Sequence, residues 1–96
     1  MRLYWLLRAI RDRDAQINYI AANSPRAAIE AGDRLSHQLD QLVKEPTLSG
    51  RVGRRQGTRE LVISRTPWIV VFRVRPKVGR IEILRVLHSS QRYPGS

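Results

Sequence analysis

Apolar residues recur at helical spacing in the first half of the chain and at strand spacing in the second. Residues 8–23 place Ile10, Ile17 and Ile20 on one helical face, which predicts a first amphipathic helix. Residues 2–7 (RLYWLL) are apolar but too few for a helix, and they predict an edge strand. A second helical stripe comprises Ala28, Ala31, Leu35, Leu39, Leu42 and Val43.

Ser24 and Pro25 predict a sharp joint between the two helices. Proline lacks an amide hydrogen and suits the first position of a helix, and the serine before it is a natural N-cap. Because the residue before a proline disfavours helical backbone, the first helix should end near Asn23. Pro46 should end the second helix. So short a joint implies two antiparallel helices packed against each other.

The second half contains three strand-like segments separated by short turns. Residues 58–64 alternate between apolar and polar, residues 68–74 are apolar on both faces for most of their length, and residues 81–88 form the last segment. Consecutive strands with short turns predict an antiparallel meander. The order of elements predicts one α+β domain, residues 1–96, in which an N-terminal helical hairpin packs on a small antiparallel sheet with a short N-terminal edge strand.

Strand alternation predicts that one sheet face meets the helices and that the other is cationic and open to a partner. The even-numbered residues of 68–74 are assigned to the helices. Arg59 and Arg65 are also expected on the open face or its rim rather than in the core. The other residues assigned to the open face are Ile69, Val71, Arg73, Arg75, Ile81, Ile83, Arg85 and Leu87.

The charge of the chain is large and unevenly distributed. Net charge is +10, and sixteen of the eighteen basic residues are arginine. Residues 1–50 hold seven basic and six acidic side chains, whereas residues 51–96 hold eleven and two. Such a surface attracts phosphates or an acidic protein, and the planar arginine fork binds either group in bidentate fashion. A generically basic protein without a specific anionic partner is the alternative interpretation.

Several kinds of chemistry are excluded or disfavoured by composition. Without cysteine the chain has no disulfide and no thiolate metal site, and its two histidines, His37 and His88, are far apart in sequence. Neither a metal nor a cofactor is therefore expected. No run approaches the roughly 18 apolar residues of a membrane span, so a cytoplasmic location is expected. GRVGRRQG at residues 50–57 superficially resembles a phosphate loop but has no helix after it.

Two residues near the C-terminus are candidates for chemistry or contact. His88 closes the last strand near the arginines and can act as a general acid or base, although a lone histidine at a strand end is more often structural. Tyr93 can stack on a base or a partner ring, or it can cap the edge of the sheet.

Four segments together resemble one family of bacterial proteins. They are RAIRDRDAQINYIAANSPRAA, EPTLSGRVGRRQGTRELVIS, TPWIVVFRV and IEILRVLHSSQRYP, in this order over nearly the whole chain. The set resembles the RelE/ParE toxin superfamily of type II toxin–antitoxin systems and, within it, the ParE branch. The resemblance implies a helical hairpin on a small antiparallel sheet, in agreement with the pattern of apolar residues.

The two branches of that superfamily imply different functions. RelE-like members cleave messenger RNA in the ribosome with basic residues on the sheet, whereas ParE-like members inhibit DNA gyrase. Two basic positions of the RelE branch correspond here to Ile69 and Ser89, so the resemblance favours gyrase inhibition without an enzymatic step. The alternative is a ribosome-dependent endoribonuclease that uses Arg59, His88 and Tyr93. A third interpretation, a basic nucleic-acid-binding module, rests on charge alone.

The resemblance also implies partners and contact surfaces. A ParD-like antitoxin is expected to bind the toxin in a hetero-oligomer in the bacterial cytoplasm, through Ile10, Ile17, Leu35, Leu39, Arg73 and Arg85. Indirect contact with gyrase-bound DNA is compatible with this function, and no membrane is involved. The residues expected to contact gyrase are Arg51, Arg54, Arg55, Arg59, His88, Gln91, Arg92 and Tyr93.

Overall fold

Two helices pack on one face of a five-stranded sheet, as the pattern of residues predicts. The structure is a computed structural model that describes residues 1–47 and 49–94. The sheet order is β1-β5-β4-β3-β2. A 3₁₀ turn, Pro76–Val78, joins the last two strands. The elements are β1 (Arg2–Trp5), α1 (Leu7–Asn23), α2 (Pro25–Lys44), β2 (Arg51–Val52), β3 (Arg59–Val62), β4 (Trp68–Arg75) and β5 (Arg80–His88).

Ser24 ends the first helix and begins the second. Its amide donates a hydrogen bond to the carbonyl of Ile20, and its hydroxyl oxygen accepts one from the amide of Ala27 at 3.2 Å. Pro25 follows as the first residue of α2, where its missing amide hydrogen costs nothing. The predicted joint is confirmed. Neither helix in the described part of the chain is both long and apolar enough to cross a membrane.

The main core lies between the apolar stripe of α2 and the facing side of the sheet. Leu35 and Leu39 are each 3 % exposed, and they pack with residues of β4 and β5. The predicted assignment of even-numbered β4 residues to the helices is confirmed. The residues of α2 and β4 that form this core are Ala31, Leu35, Leu39, Leu42, Trp68, Val70 and Phe72, with Val74 partly buried against them.

The sheet is mixed, because β1 runs parallel to β5. Residues Arg2–Trp5 pair with Arg80–Ile83, so the predicted edge strand is confirmed and ends two residues earlier than expected. The β3–β4 and β4–β5 pairs are antiparallel, as predicted, and β2, which lies in a segment without a predicted strand, also pairs antiparallel with β3. The parallel pair arises because both helices intervene between β1 and the rest of the sheet, and such a crossover permits parallel pairing.

A bulge in β5 changes which side chains face the helices. Val71 pairs with Arg85 and Phe72 with Ile83, so Leu84 is an extra residue on β5. An extra residue reverses the alternation of side chains beyond it. The prediction that residues 81, 83, 85 and 87 share the open face is therefore wrong for two of them. Ile81 and Ile83 lie in the core under the helices, whereas Leu87 lies on the opposite side.

Helix α1 completes the edge of β5 where β1 ends. The Asp12 carboxylate accepts a hydrogen bond from the amide of Val86 at 3.0 Å, and Gln16 Nε2 donates to the carbonyl of Val86 at 2.7 Å. Asp12 and Gln16 are one helical turn apart, so both reach the same strand residue. Asp12 also accepts from Arg85 Nε at 2.7 Å and from Arg85 Nη2 at 3.2 Å. Side chains thus replace a neighbouring strand at this position.

Replacing Asp12 should destabilise the fold. In Asp12→Ala the amide of Val86 loses its acceptor, and the Arg85 side chain, 14 % exposed, loses its anion. The expected loss in the free energy of unfolding is about 2–3 kcal/mol. Asp14→Ala is the matched control, because the Asp14 side chain is 57 % exposed and, among residues 1–47 and 49–94, pairs only with its neighbour Arg13. Urea titrations showing equal losses for the two variants would contradict the assignment.

Candidate functional site

The side of the sheet away from the helices, here called the open face, carries a concentration of arginine. Residues opposite each other in the register share a face, so Arg51 and Glu60 lie with Val71, and Glu82 lies with Arg73. The same rule places three more arginines on the open face, because Arg80 is opposite both Arg75 and Arg2. The predicted cationic face is therefore present, with arginines on β1, β5, β4 and β2, and β3 contributes Glu60.

Glu82 holds three of these arginines together. The carboxylate is 4 % exposed, accepts from Arg73 at 2.7 Å and from Arg80 Nη2 at 2.7 Å, and lies 3.7 Å from Arg75 Nη1. The hydrogen bond from Arg73 is the largest influence, and with Arg80 it holds the pKa of Glu82 below its ordinary value although burial opposes the change. Glu82 is thus an internal anion that fixes three guanidinium groups.

Glu60 likewise binds two arginines, Arg51 and Arg54, at the other end of the open face. It is 1 % exposed and accepts from the backbone amide of Arg54 at 2.9 Å and from Arg54 Nε at 3.0 Å, and it forms an ion pair with Arg51, whose Nη2 lies 3.5 Å away. Burial is the largest single influence and raises the pKa of Glu60, but the hydrogen bonds and charge of Arg54, with Arg51, outweigh it and lower the pKa. This cluster fastens the loop after β2 to the sheet.

Tyr93 covers the apolar part of the open face. Ile69, Val71 and Leu87 form a second buried cluster, and Leu84 and Tyr93 pack against it. The Arg54 guanidinium lies over the Tyr93 ring at 5.3 Å from the ring centre. The expectation that apolar residues of this face are available to a partner is therefore wrong for Ile69, Val71 and Leu87, because the chain covers them itself. Tyr93 caps the sheet, one of the two alternatives for this residue.

A cationic cleft of about 380 Å³ opens beside Tyr93. Arg8, Arg55, Arg73 and Arg85 line it together with Tyr93. Arg73 is held by Glu82 and Arg85 by Asp12, whereas Arg8 and Arg55 have no carboxylate within 4.0 Å in the described part of the chain. The arrangement suits an anionic group, since guanidinium donors converge on a single hollow. Arg8 was missed from sequence, because a residue in the first turn of a helix gives no sign that it faces the sheet.

Arg59 lies on the helix side of the sheet and not on the open face. It pairs with Phe72 in the register, and its Nη2 donates to the carbonyls of Ser49 and Gly50 at 3.2 and 3.1 Å. The prediction that Arg59 belongs to the open face is therefore wrong. Arg59 holds the loop that precedes β2.

The C-terminal turn brings together two of the other candidates. Gln91 Oε1 accepts from the amide of His88 at 3.2 Å, and His88 Nδ1 lies 3.1 Å from the Ser90 amide and 2.7 Å from its hydroxyl. Arg92 is exposed beside this turn. His88 is consequently part of a hydrogen-bonded turn, and its side chain also borders an apolar groove with Tyr19, Ile20 and Trp68.

The three residues of the nuclease alternative lie apart. His88 pairs with Trp68 on the helix side, Tyr93 packs on the open face, and Arg59 lies two strands from His88 on the helix side. No cleft described in residues 1–47 and 49–94 contains more than one of them. Acid–base catalysis needs its groups within hydrogen-bonding reach of one substrate, directly or through one water. The same ranges hold no group of three His, Asp or Glu side chains placed for a metal ion.

The residues expected to bind an antitoxin fall into three environments. Leu35 and Leu39 are buried in the core, so neither is available for contact, and that part of the prediction is wrong. Ile10 and Ile17 are half-buried on α1, and Arg73 and Arg85 line the cationic cleft. Tyr19, which is 77 % exposed, borders an apolar groove of about 400 Å³ and was not among the predicted residues.

Comparison with known proteins identifies relatives over almost the full length. A family model described as the ParE toxin of the type II toxin–antitoxin system parDE matches residues 3–93. The Y4kP protein of Sinorhizobium fredii is 40 % identical over 93 residues, which are 97 % of this chain and 93 % of that protein.

Solved structures agree with this relationship. A chain from the chromosomal ParDE toxin–antitoxin system of P. aeruginosa aligns with a TM-score of 0.79 and 31 % identity, over 92 % of this chain and 95 % of that one. A chain from the RelBE2 toxin–antitoxin complex of Mycobacterium tuberculosis aligns with a TM-score of 0.62 and 22 % identity, over 94 % and 92 %. The second match supports the fold alone.

Acid should weaken the fold through the two buried glutamates. Their pKa values are lower in the folded chain than in the unfolded chain, so the unfolded chain binds more protons as the pH falls below about 4.3. The stability they contribute is complete above that pH and is lost as the pH falls through the folded pKa. Glu82→Gln should be less stable at pH 7 and lose less stability between pH 6 and 3. Urea titrations in which wild type and variant lose equal stability on acidification would contradict this.

Proposed function

The chain belongs to the ParE toxins of type II toxin–antitoxin systems, and we propose that it inhibits bacterial DNA gyrase by binding. The inhibition requires no enzymatic step by the chain itself and stabilises the cleaved gyrase–DNA state. One observation supports this choice over RNA cleavage: Arg59, His88 and Tyr93 do not share a cleft. Their separation favours binding through a preformed cationic surface over catalysis by these three residues.

The gyrase contact is assigned to the cationic cleft and the adjoining C-terminal turn. Arg55 is exposed, lines the cleft, and has no carboxylate within 4.0 Å in the described residues. Arg54 is ordered by Glu60 and lies over Tyr93, which joins the loop before β3 to the C-terminal segment. Arg92, which is exposed in the C-terminal turn, is assigned to the same contact. Rigid guanidinium groups lose little freedom on binding, which favours affinity for an acidic patch of the target.

The antitoxin is assigned to the apolar groove on the other side of the sheet. The groove has a largely apolar lining from Tyr19, Ile20 and Trp68, and an exposed tyrosine at its border provides an anchor for an apolar side chain of a partner. A ParD-like antitoxin that binds there forms a hetero-oligomer with the toxin in the bacterial cytoplasm. A disordered antitoxin segment would fold on binding.

Ribosome-dependent cleavage of messenger RNA is the second candidate. The observation that favours it is the cleft itself, which groups Tyr93 with Arg55, Arg73 and Arg85. Tyrosine and arginines can supply a proton and stabilise a charged phosphorane. The two candidates differ in target, so a purified chain distinguishes them directly.

Purified protein should inhibit supercoiling by gyrase and accumulate linear DNA, and it should leave ribosome-bound messenger RNA intact. Arg55→Glu should raise the concentration for half-inhibition tenfold or more, because one favourable contact becomes repulsive; tenfold corresponds to about 1.4 kcal/mol. Arg26→Glu is the control, since Arg26 is an exposed cation at the start of α2. Transcript cleavage with ribosomes and no effect on gyrase would overturn the proposal.

Tyr19→Asp should weaken binding of the proposed ParD-like antitoxin by at least tenfold, because a charge would be buried against an apolar groove. Asn18→Asp introduces the same charge at an exposed neighbouring position and should change affinity little. Calorimetry with both variants measures the difference. Equal affinities for Tyr19→Asp and wild type would place the antitoxin elsewhere.

A further inference from the structure

Most of the net charge of the chain lies on one side of the sheet. Glu82 holds three arginines there, Glu60 holds two and Asp12 holds one. Arg2, Arg8 and Arg55 add three cations that have no carboxylate within 4.0 Å in the described residues. Nine arginines therefore face three carboxylates, an excess of six out of the net charge of +10.

The excess charge is spread along a row rather than gathered at one point. By register, arginines of the open face lie on β1, β5, β4 and β2, from Arg2 at one edge of the sheet to Arg51 at the other. Four inter-strand steps of about 4.8 Å span roughly 19 Å across the sheet. Arg2 lies level with Arg75 and Arg51 lies level with Val71, so the row runs obliquely to the strands. One strand of duplex DNA carries a phosphate about every 3.4 Å along its axis, so the width of the row across the strands matches about five or six phosphates.

The carboxylates among these arginines do not repel an approaching anion strongly. Glu60 and Glu82 are buried, and the Asp12 side chain is 16 % exposed. Glu82 is held by three arginines, Glu60 by two and Asp12 by one, so the negative charge at each position is at least balanced by its own partners. The outer layer of the open face is therefore cationic, and its guanidinium groups are ordered before any ligand arrives.

The rings of Tyr4 and Tyr93 on this face each carry an arginine on one side, and Tyr4 remains 54 % exposed. The Tyr93 ring is covered by Arg54 and packs on the apolar cluster, and Arg80 lies 4.7 Å from the ring centre of Tyr4. Single-stranded nucleic acid is usually held by bases stacked on free aromatic rings. A face with many ordered cations and with arginines over its rings suits a backbone more than unpaired bases, and charge spread from edge to edge of the sheet suits a regular polyanion more than an acidic peptide.

We propose that the open face binds the phosphodiester backbone of a double-stranded nucleic acid, without reading its sequence. The contacts are made by guanidinium groups along the row, with Arg2, Arg8 and Arg55 as the cations that no internal carboxylate neutralises. This binding does not rest on gyrase inhibition. It is measured with the chain and nucleic acid alone, so the failure of either proposal leaves the other testable.

The experiment measures fluorescence anisotropy of labelled 20-base-pair DNA and RNA duplexes with the full chain at several salt concentrations. Wild type should bind a duplex with a log–log salt slope of about −4 to −5, as expected for about five phosphate contacts. Arg2→Gln, Arg8→Gln and Arg55→Gln combined should reduce the magnitude of that slope by about 2.7. All three residues are exposed, so the fold should persist, and a urea titration checks this.

The matched control removes three positive charges from α2, which packs on the opposite side of the sheet. Arg26→Gln, Arg34→Gln and Lys44→Gln combined should change the slope by less than one. Comparing the affinities of the DNA and RNA duplexes shows which of the two nucleic acids the open face prefers. Three results would each overturn the proposal. They are equal reductions of the salt slope in the two triple variants, tighter binding of a single strand than of a duplex, and displacement of the duplex by polyglutamate at equal charge concentration.

Discussion

Ion pairing between buried carboxylates and arginine is the constraint on which this small structure depends. Sixteen arginines on 96 residues would repel one another if they were left alone on the surface. Glu60, Glu82 and Asp12 each lie where backbone and side chains leave little access to water. Glu82 pairs with three guanidinium groups, Glu60 with two and Asp12 with one. The pairs order the open face and the edge of β5, and the remaining positive charge is directed outward. A buried anion of this kind is worth little as an isolated pair, and its importance here is the arrangement that it imposes on several cations.

The sheet separates two surfaces of different chemistry. The helix side has an apolar groove beside Tyr19, and the open face has the cationic cleft and the row of arginines. A toxin that must recognise both an antitoxin and a target can use the two sides independently. The same separation keeps His88 and Tyr93 apart, because alternate residues of β5 point to opposite faces and the C-terminal turn carries Tyr93 over the open face.

Local sequence predicts the two helices and most of the strands, but it does not predict which charged side chains contact one another. Ser24 and Pro25 predict the joint of the hairpin, and the stripe from Ala28 to Leu42 predicts the face of α2, because both signals depend on neighbours within a few residues. The bulge at Leu84 is invisible in sequence, since residues 81–88 alternate plausibly in either register. From sequence alone, Glu60 and Glu82 would be expected to be exposed to solvent. The pairing of the strands brings their arginine partners to them. The positions of Arg8 in the cleft and of Arg59 on the helix side were not predicted for the same reason, because the residues around them belong to distant segments of the chain.

The central claim is that this chain acts by binding through its open face and the adjoining turn. Hydrogen–deuterium exchange of the toxin, alone and with the cleaved gyrase–DNA complex, tests it most directly. Slower exchange on binding is predicted for residues 53–58 and 88–93, with little change in residues 25–44, because the loop and the turn border the cleft whereas α2 lies behind the sheet. Protection confined to the two helices, with the loop and the turn unchanged, would contradict the account.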